Sequence, residues 1–180
     1  MTGVREGERA ARFHAVAAVV VEPVRRYLHR RTDADTAEDV LSETLLVCWR
    51  RLDDIPDDVL PWTYVVARNC LANADRSDRR QARLIGRIRA VDPPATATPG
   101  PDSADDTLDR AFASLSADDA EVLRLWAWED LAPAAIGTVL GITPNAASIR
   151  LHRAKQRLRA ALGKSDHPDG HGQDTERSRG

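Results

Sequence analysis

Residues 131–155 read LAPAAIGTVLGITPNAASIRLHRAK, and the fold turns on how this stretch is read. Two helical segments meet at a very short turn. Pro133 fits the first turn of the first segment, where the missing N–H has no intrahelical partner to lose. Gly141 follows the apolar Leu140 and suits the left-handed residue that ends a helix. Thr143 offers a side-chain oxygen to cap the second segment, and Pro144 stands in that segment's first turn. Gly137 has no Cβ, which allows the segments to approach closely. Ile136, Leu140, Ile142 and Leu151 are spaced to clamp them together. The pattern predicts a helix-turn-helix. Its second helix would turn Asn145, Ser148, Ile149, His152 and Arg153 outward, with Arg150, Lys155 and Arg157 nearby. Those side chains suit base edges and phosphates. A merely solvated basic face is the competing reading.

Working outward, the second helix is expected to continue through Leu158 and Leu162. No Asp or Glu occurs from 145 to 164. Residues 164–180 hold no core-forming side chain and are expected to be a disordered tail. Its His167 and His171 are too isolated to make a metal set. Upstream, Ser116 is placed to cap a helix whose first turn holds Asp118 and Asp119 and whose body carries Val122, Leu123, Leu125 and Trp126. A further helix is expected over 107–115.

Residues 92–106 read DPPATATPGPDSADD and take four of the chain's 10 prolines. Proline excludes helix and the acids favour solvation, so the segment reads as a linker. It divides the chain into an N-terminal unit over 1–90, a linker over 91–106 and a C-terminal unit over 107–163. No internal repeat is present.

The N-terminal unit reads as four helices. Phe13, Val16, Val20, Val24 and Leu28 recur at helical spacing, with Pro23 as a break or kink. Thr36 is expected to cap a helix with Glu38 and Asp39 in its first turn. Its apolar stripe is Val40, Leu41, Thr44, Leu45, Cys48 and Leu52. The acidic segment DDIPDDVLP at 53–61 ends it. Another helix is expected after Pro61, running through Trp62, Val65, Val66, Asn69 and Leu71 into a run of arginines at 76–89. Trp62 and Tyr64 on the same helix give that run aromatic neighbours, a combination that suits unstacked bases, although the Trp62 ring reads equally as core.

Composition agrees with an all-α protein of two small helical domains. The chain has 180 residues, 42% hydrophobic and 30% charged, with aromatics at only 4%. Ala, Leu and Arg dominate, which favours helices over sandwiches and barrels. Cys48 and Cys70 stand alone, so neither a disulfide framework nor a metal-ligand spacing is present. The longest apolar run, at 15–21, is too short to span a bilayer, and the N-terminus has no signal-peptide core. A soluble, cytoplasmic chain without membrane attachment is expected. Net charge is −2, but basic stripes at 75–89 and 145–164 flank an acidic stretch at 102–121, which suggests two electrostatic footprints. No nucleophile–base pair, glycine-rich phosphate loop or metal set is found, so neither catalysis nor a cofactor is expected.

Three segments together resemble a family. Residues 37–49, AEDVLSETLLVCW, resemble the signature helix of region two in bacterial RNA polymerase sigma factors. Residues 62–69, WTYVVARN, follow at the family's distance. The helix-turn-helix ending in IRLHRAK at 149–155 is similar to region four. A linker in place of the third domain of larger sigma factors is the pattern of the extracytoplasmic-function (ECF) class. The resemblance spans about residues 13–163, and three motifs in order are more specific than any one.

The resemblance implies roles for particular residues. Asp39, Ser42 and Glu43 would face the clamp coiled coil of the polymerase β′ subunit. Ile55, Trp62 and Asn69 would border a pocket for an unstacked base of the −10 element, and Arg68, Arg76, Arg79 and Arg80 would hold backbone phosphates. Asn145, Ser148, Ile149, Arg150, His152, Arg153, Lys155 and Arg157 would read the −35 duplex, and region four would also dock on the β flap. An anti-sigma protein is a further partner the class implies. The chain departs from the family pattern at Ser42, where Gln is common, at Leu45, where Phe is common, and at Ala135, where Glu is common. Leu115-Ser116 replaces a common Leu-Pro, and Ser148 replaces a base-facing cation.

Linker length allows the two-site reading. Fifteen residues in polyproline-like extension reach on the order of 45 Å, against about 34 Å for one turn of duplex. The main alternative is a helix-turn-helix regulator whose N-terminal unit is a ligand or dimerisation module. A second is a protein-binding module that engages polymerase without DNA.

Overall fold

A computed structural model describes residues 2–88 and 104–165, and every regular element among them is helical. The front group comprises α1 (Thr2–His29), α2 (Ala34–Arg50), a 3-10 turn (Leu52–Asp54) and α3 (Val59–Ile88). The rear group comprises α4 (Ala104–Ala113), α5 (Ala117–Ala127), α6 (Pro133–Leu140) and α7 (Pro144–Ser165).

The front group has three α-helices and a short 3-10 turn where four helices were expected. Pro23 does not interrupt α1. A proline leaves the carbonyl four residues earlier without its helical donor. That residue is Val19, on the exposed side of the helix, where water can serve the carbonyl. The opposite face buries Val16, Val20, Val24, Tyr27 and Leu28. Full burial of each such aliphatic side chain stabilises by about 1.5–3 kcal/mol.

The cap of α2 also differs from expectation. Asp33, not Thr36, is the N-cap: its carboxylate accepts from the Thr36 N–H at 3.0 Å and from the Thr36 hydroxyl at 2.8 Å. These hydrogen bonds hold the Asp33 carboxyl below its ordinary pKa. Both residues are good cap formers, and the acid placed one turn earlier takes the role. Along α2, Ala37, Val40, Leu41, Thr44 and Cys48 are buried. The buried Thr44 hydroxyl donates to the Val40 carbonyl at 2.7 Å, so no polar atom is stranded there. Helix α3 begins at Val59 rather than after Pro61, which falls in its first turn, where the missing N–H costs no helical bond.

In the rear group Ser116 caps α5, its hydroxyl accepting from the Asp119 N–H at 3.2 Å. The helix expected over 107–115 begins earlier, at Ala104, so 104–106 belong to α4 and not to the linker. Helix α7 runs through Lys164 and Ser165, residues expected in the tail. The remaining linker and tail positions, His167 and His171 included, lie outside the described residues.

Helices α1, α2 and α3 pack on one another, and α7 packs against α4, α5 and α6. The groups also meet, with α3 lying along α6. No helix among the described residues is long and apolar enough to cross a membrane.

Candidate nucleic-acid interface

The turn between α6 and α7 follows from its glycines. Gly141 sits at φ 66° and ψ 33°, the left-handed region where a side chain is strained. The Ile142 N–H donates to the Gly137 carbonyl at 2.9 Å, closing the end of α6. A Cβ on Gly137 would stand 2.8 Å from the Ile142 carbonyl oxygen, so the turn can fold back only over a glycine. The Thr143 hydroxyl accepts from the Ala146 N–H at 3.2 Å and starts α7. Ile136, Ala147, Leu151 and Ala154 are buried between the helices. Leu140 and Ile142 are half-buried beside them.

This packing fixes which side of α7 faces out. Asn145, Ser148, Ile149, His152, Arg153 and Arg157 are exposed, while Arg150 and Lys155 are half-buried. Several have partners that sequence alone did not supply. Arg150 reaches Asp118 at 3.4 Å, and Arg157 bonds to the buried Asp119. The Lys155 ammonium lies 3.3 Å from the centre of the Trp126 ring. The Ser148 hydroxyl donates to the Pro144 carbonyl at 3.1 Å, and His152 meets Gln156 at 3.0 Å. Arg153 makes no ion pair or hydrogen bond among the described residues. Ile149, Arg150, Arg153 and Arg157 line a depression of about 400 Å³ with Ala146 and Asp119. Three guanidinium groups around one acid leave it electropositive.

On α3, Arg68, Asn69, Arg76, Arg79 and Arg80 are exposed and Trp62 is half-buried. At 3.6 residues per turn all six fall within about 120° of arc, so they share one face. The Arg51 guanidinium covers the Trp62 ring at 5.8 Å. Arg76 bonds to the Asn73 side chain, and the Arg80 Nε donates to the Arg76 carbonyl at 3.2 Å. Ile55 is not on this face: it is buried in the loop after the 3-10 turn and can only support the surface from beneath.

On α2, Asp39, Ser42 and Glu43 are exposed along one stripe. The neighbouring Glu38 is occupied, accepting from the Arg25 Nε at 2.9 Å with the His29 ring at 3.3 Å. The hydrogen bond from Arg25 holds its carboxyl below the ordinary range. Leu46 stands on the same stripe at 45% exposure and was not singled out from sequence. Its position seven residues after Asp39, two helical turns along, is the signal that marks it.

The cysteines add no chemistry. Both are free and buried, and burial pushes the Cys48 thiol up to about 11, so little thiolate forms near neutrality. No metal-binding group of His, Cys, Asp and Glu exists among the described residues.

Residues 105–158 match the family model for sigma-70, region 4. The ECF RNA polymerase sigma factor SigL of Mycobacterium tuberculosis is 36% identical over 147 residues, which cover 76% of this chain and 81% of that protein. The RNA polymerase sigma factor CarQ of Myxococcus xanthus is 31% identical over 139 residues, covering 71% and 75% respectively. The fold is shared with the sigma factor RpoE from Bartonella quintana, solved with the anti-sigma factor NepR. The TM-score is 0.61 at 22% identity, covering 86% of this chain and 98% of that one. With relatives that span both groups of helices, the chain belongs to the ECF sigma factors of bacterial RNA polymerase.

Proposed function

We propose that this transcription initiation factor acts through binding energy alone, with separate tasks for its two groups of helices. The single observation that carries the reading is the outward face of α7. A glycine-dependent turn presents Asn145, Ser148, Ile149, His152 and Arg153 together, backed by a helix without acids. That helix reads the −35 duplex. Arg153, with no partner among the described residues, and Arg150, held only by an exposed ion pair, are its principal cations. An exposed pair is worth at most about 1 kcal/mol, so phosphate competes readily with Asp118 for Arg150.

Face-sharing on α3 supports the second task. Arg68, Arg76, Arg79 and Arg80 hold phosphates of the −10 element while Trp62 and Asn69 meet an unstacked base. Capture of that base offsets an unstacking cost of a few kcal/mol. Ser148, turned onto its own helix, offers less to a base edge than a cation would. The third task falls to the stripe of Asp39, Ser42, Glu43 and Leu46. It docks on the β′ clamp coiled coil, Leu46 supplying an apolar anchor between acids, while the rear group meets the β flap. An anti-sigma protein is the partner that holds the chain inactive. The chain works in the cytoplasm, catalyses nothing and needs no cofactor, since the polymerase performs the chemistry. A regulator with an N-terminal ligand module is the weaker reading, because the sigma-factor relatives extend over the front helices as well.

The test is the salt dependence of promoter binding. Arg150→Ala together with Arg153→Ala weakens binding, and each lost phosphate contact reduces the slope of log affinity against log salt by about 1. An unchanged slope would remove α7 from the DNA.

A further inference from the structure

The front and rear groups are joined by a cluster that the roles above do not use. Arg30 and Arg31 follow the end of α1, in the turn before α2. The Arg30 Nη1 donates to both oxygens of Glu129, at 3.0 and 3.1 Å. Arg31 donates to Glu129 at 3.4 Å and, through its other nitrogen, to Glu121 at 3.2 and 3.3 Å. The Glu129 side chain is only 2% exposed and that of Arg31 only 9%. The Arg31 guanidinium also lies 3.7 Å from the centre of the Tyr27 ring, and that of Arg30 covers Trp128 at 5.6 Å. Glu129 is delivered by a strained turn, since the next residue, Asp130, is held at φ 52°.

The consequence of this clasp is spatial. Arg68 on α3 and Arg150 on α7 line one cavity of about 480 Å³, shared with Asp75 and Asp118. Residues bordering one such cavity are far closer than the about 34 Å of a single duplex turn. A −35-reading helix and a −10-reading helix held this way cannot sit on two elements more than a turn apart.

We propose that the Arg30–Arg31 and Glu121–Glu129 clasp is an autoinhibitory latch, which must open before the chain can engage a promoter at both elements. This inference rests on the two-site reading above. Three features poise the latch. The buried Arg31 Nε has no hydrogen-bond partner, so closure leaves one donor unsatisfied that water would serve once open. The left-handed Asp130 adds strain to the closed turn. Loss of any one partner strands a buried charge, which makes the cluster open as a unit. Beyond the clasp, Arg68 and Arg150 face a cavity that carries acids, so in the closed state their fields are turned partly onto Asp75 and Asp118 instead of onto phosphate.

The experiment uses the full chain, labelled for inter-probe distance at Ala18→Cys on α1 and Ala160→Cys on α7. Both positions are exposed, and the native cysteines are buried. The free chain should give one short distance. Glu129→Gln should shift the distribution to longer distances and raise the affinity of the free chain for a duplex carrying both promoter elements about tenfold, or about 1.4 kcal/mol. Unchanged distances in a Glu129→Gln chain of native helicity would overturn the latch. A wild-type arm removes dependence on that variant's folding. Adding core polymerase and promoter should lengthen the distance, and a promoter-bound complex that keeps the short distance would overturn the latch alone. Failure of the wild-type chain to bind polymerase at all would instead overturn the functional reading, and the latch with it.

Discussion

Gly137 and Gly141 serve the same turn for different reasons, and the difference can be measured. Gly141 needs freedom in φ, whereas Gly137 needs the absence of an atom, since a Cβ would press on the Ile142 carbonyl oxygen at 2.8 Å. Gly137→Ala must therefore shift backbone on both sides of the turn. A destabilisation of about 1–3 kcal/mol is expected, as for other overpacked sites, and chemical denaturation of the full chain measures it. Loss below about 0.5 kcal/mol would mean that the turn relaxes without cost. At this scale the sequence was readable wherever a choice is made within four residues. Pro133, Gly141, Thr143 and Ser116 all hold the positions expected of them. The choice between Asp33 and Thr36 was not readable, because both can cap and the distance between them is one turn. Nor did the sequence reveal that Arg157 spends itself on Asp119, 38 residues away.

At the scale of elements, α1 and α3 are tied by a pair of buried tyrosines whose rings meet at 5.1 Å. Burial raises the Tyr27 hydroxyl from 10.0 to about 12, and that of Tyr64 is raised for the same reason. A folded-state pKa above the unfolded one means that the folded chain retains a proton the unfolded chain has released. The contribution is complete below pH 10.0 and is lost as pH rises to about 12. For Tyr27 that loss is about 2–3 kcal/mol. Helicity followed against pH should fall in that window, and Tyr27→Phe should blunt the fall. A pH-independent stability from 9 to 12 would contradict the packing of this pair. Along α2, the exposed stripe calls for a different measurement. Asp39→Ala with Glu43→Ala should impair assembly with polymerase and leave the DNA affinity of the chain unchanged, as judged by co-purification and duplex binding. Normal assembly would remove the stripe from the interface. The helix registers were legible from apolar spacing, since Val16, Val20, Val24 and Leu28 all face inward. The unbroken α1 was not, because Pro23 is tolerated through the solvent exposure of Val19. Leu46 was passed over because one exposed leucine is unremarkable until its neighbours on the stripe are seen.

For the whole molecule, the two groups of helices were legible from the proline-rich segment between them, and their family from three motifs in order. Their mutual packing was not. The ion pairs that join them link residues 90 to 99 positions apart, and no local pattern marks Arg30 and Arg31 as partners of Glu121 and Glu129. The molecule thus pairs acids and bases across its halves that sequence shows only as separate stripes. What unites the account is that every task assigned to the chain is a binding task, carried out on behalf of an enzyme it must join. The decisive measurement is transcription from a promoter template by sigma-free core polymerase, with and without the purified chain. Transcripts that start at one defined position only when the chain is present are the predicted result. Output unchanged by the chain, over templates drawn from across its own genome, would contradict the account.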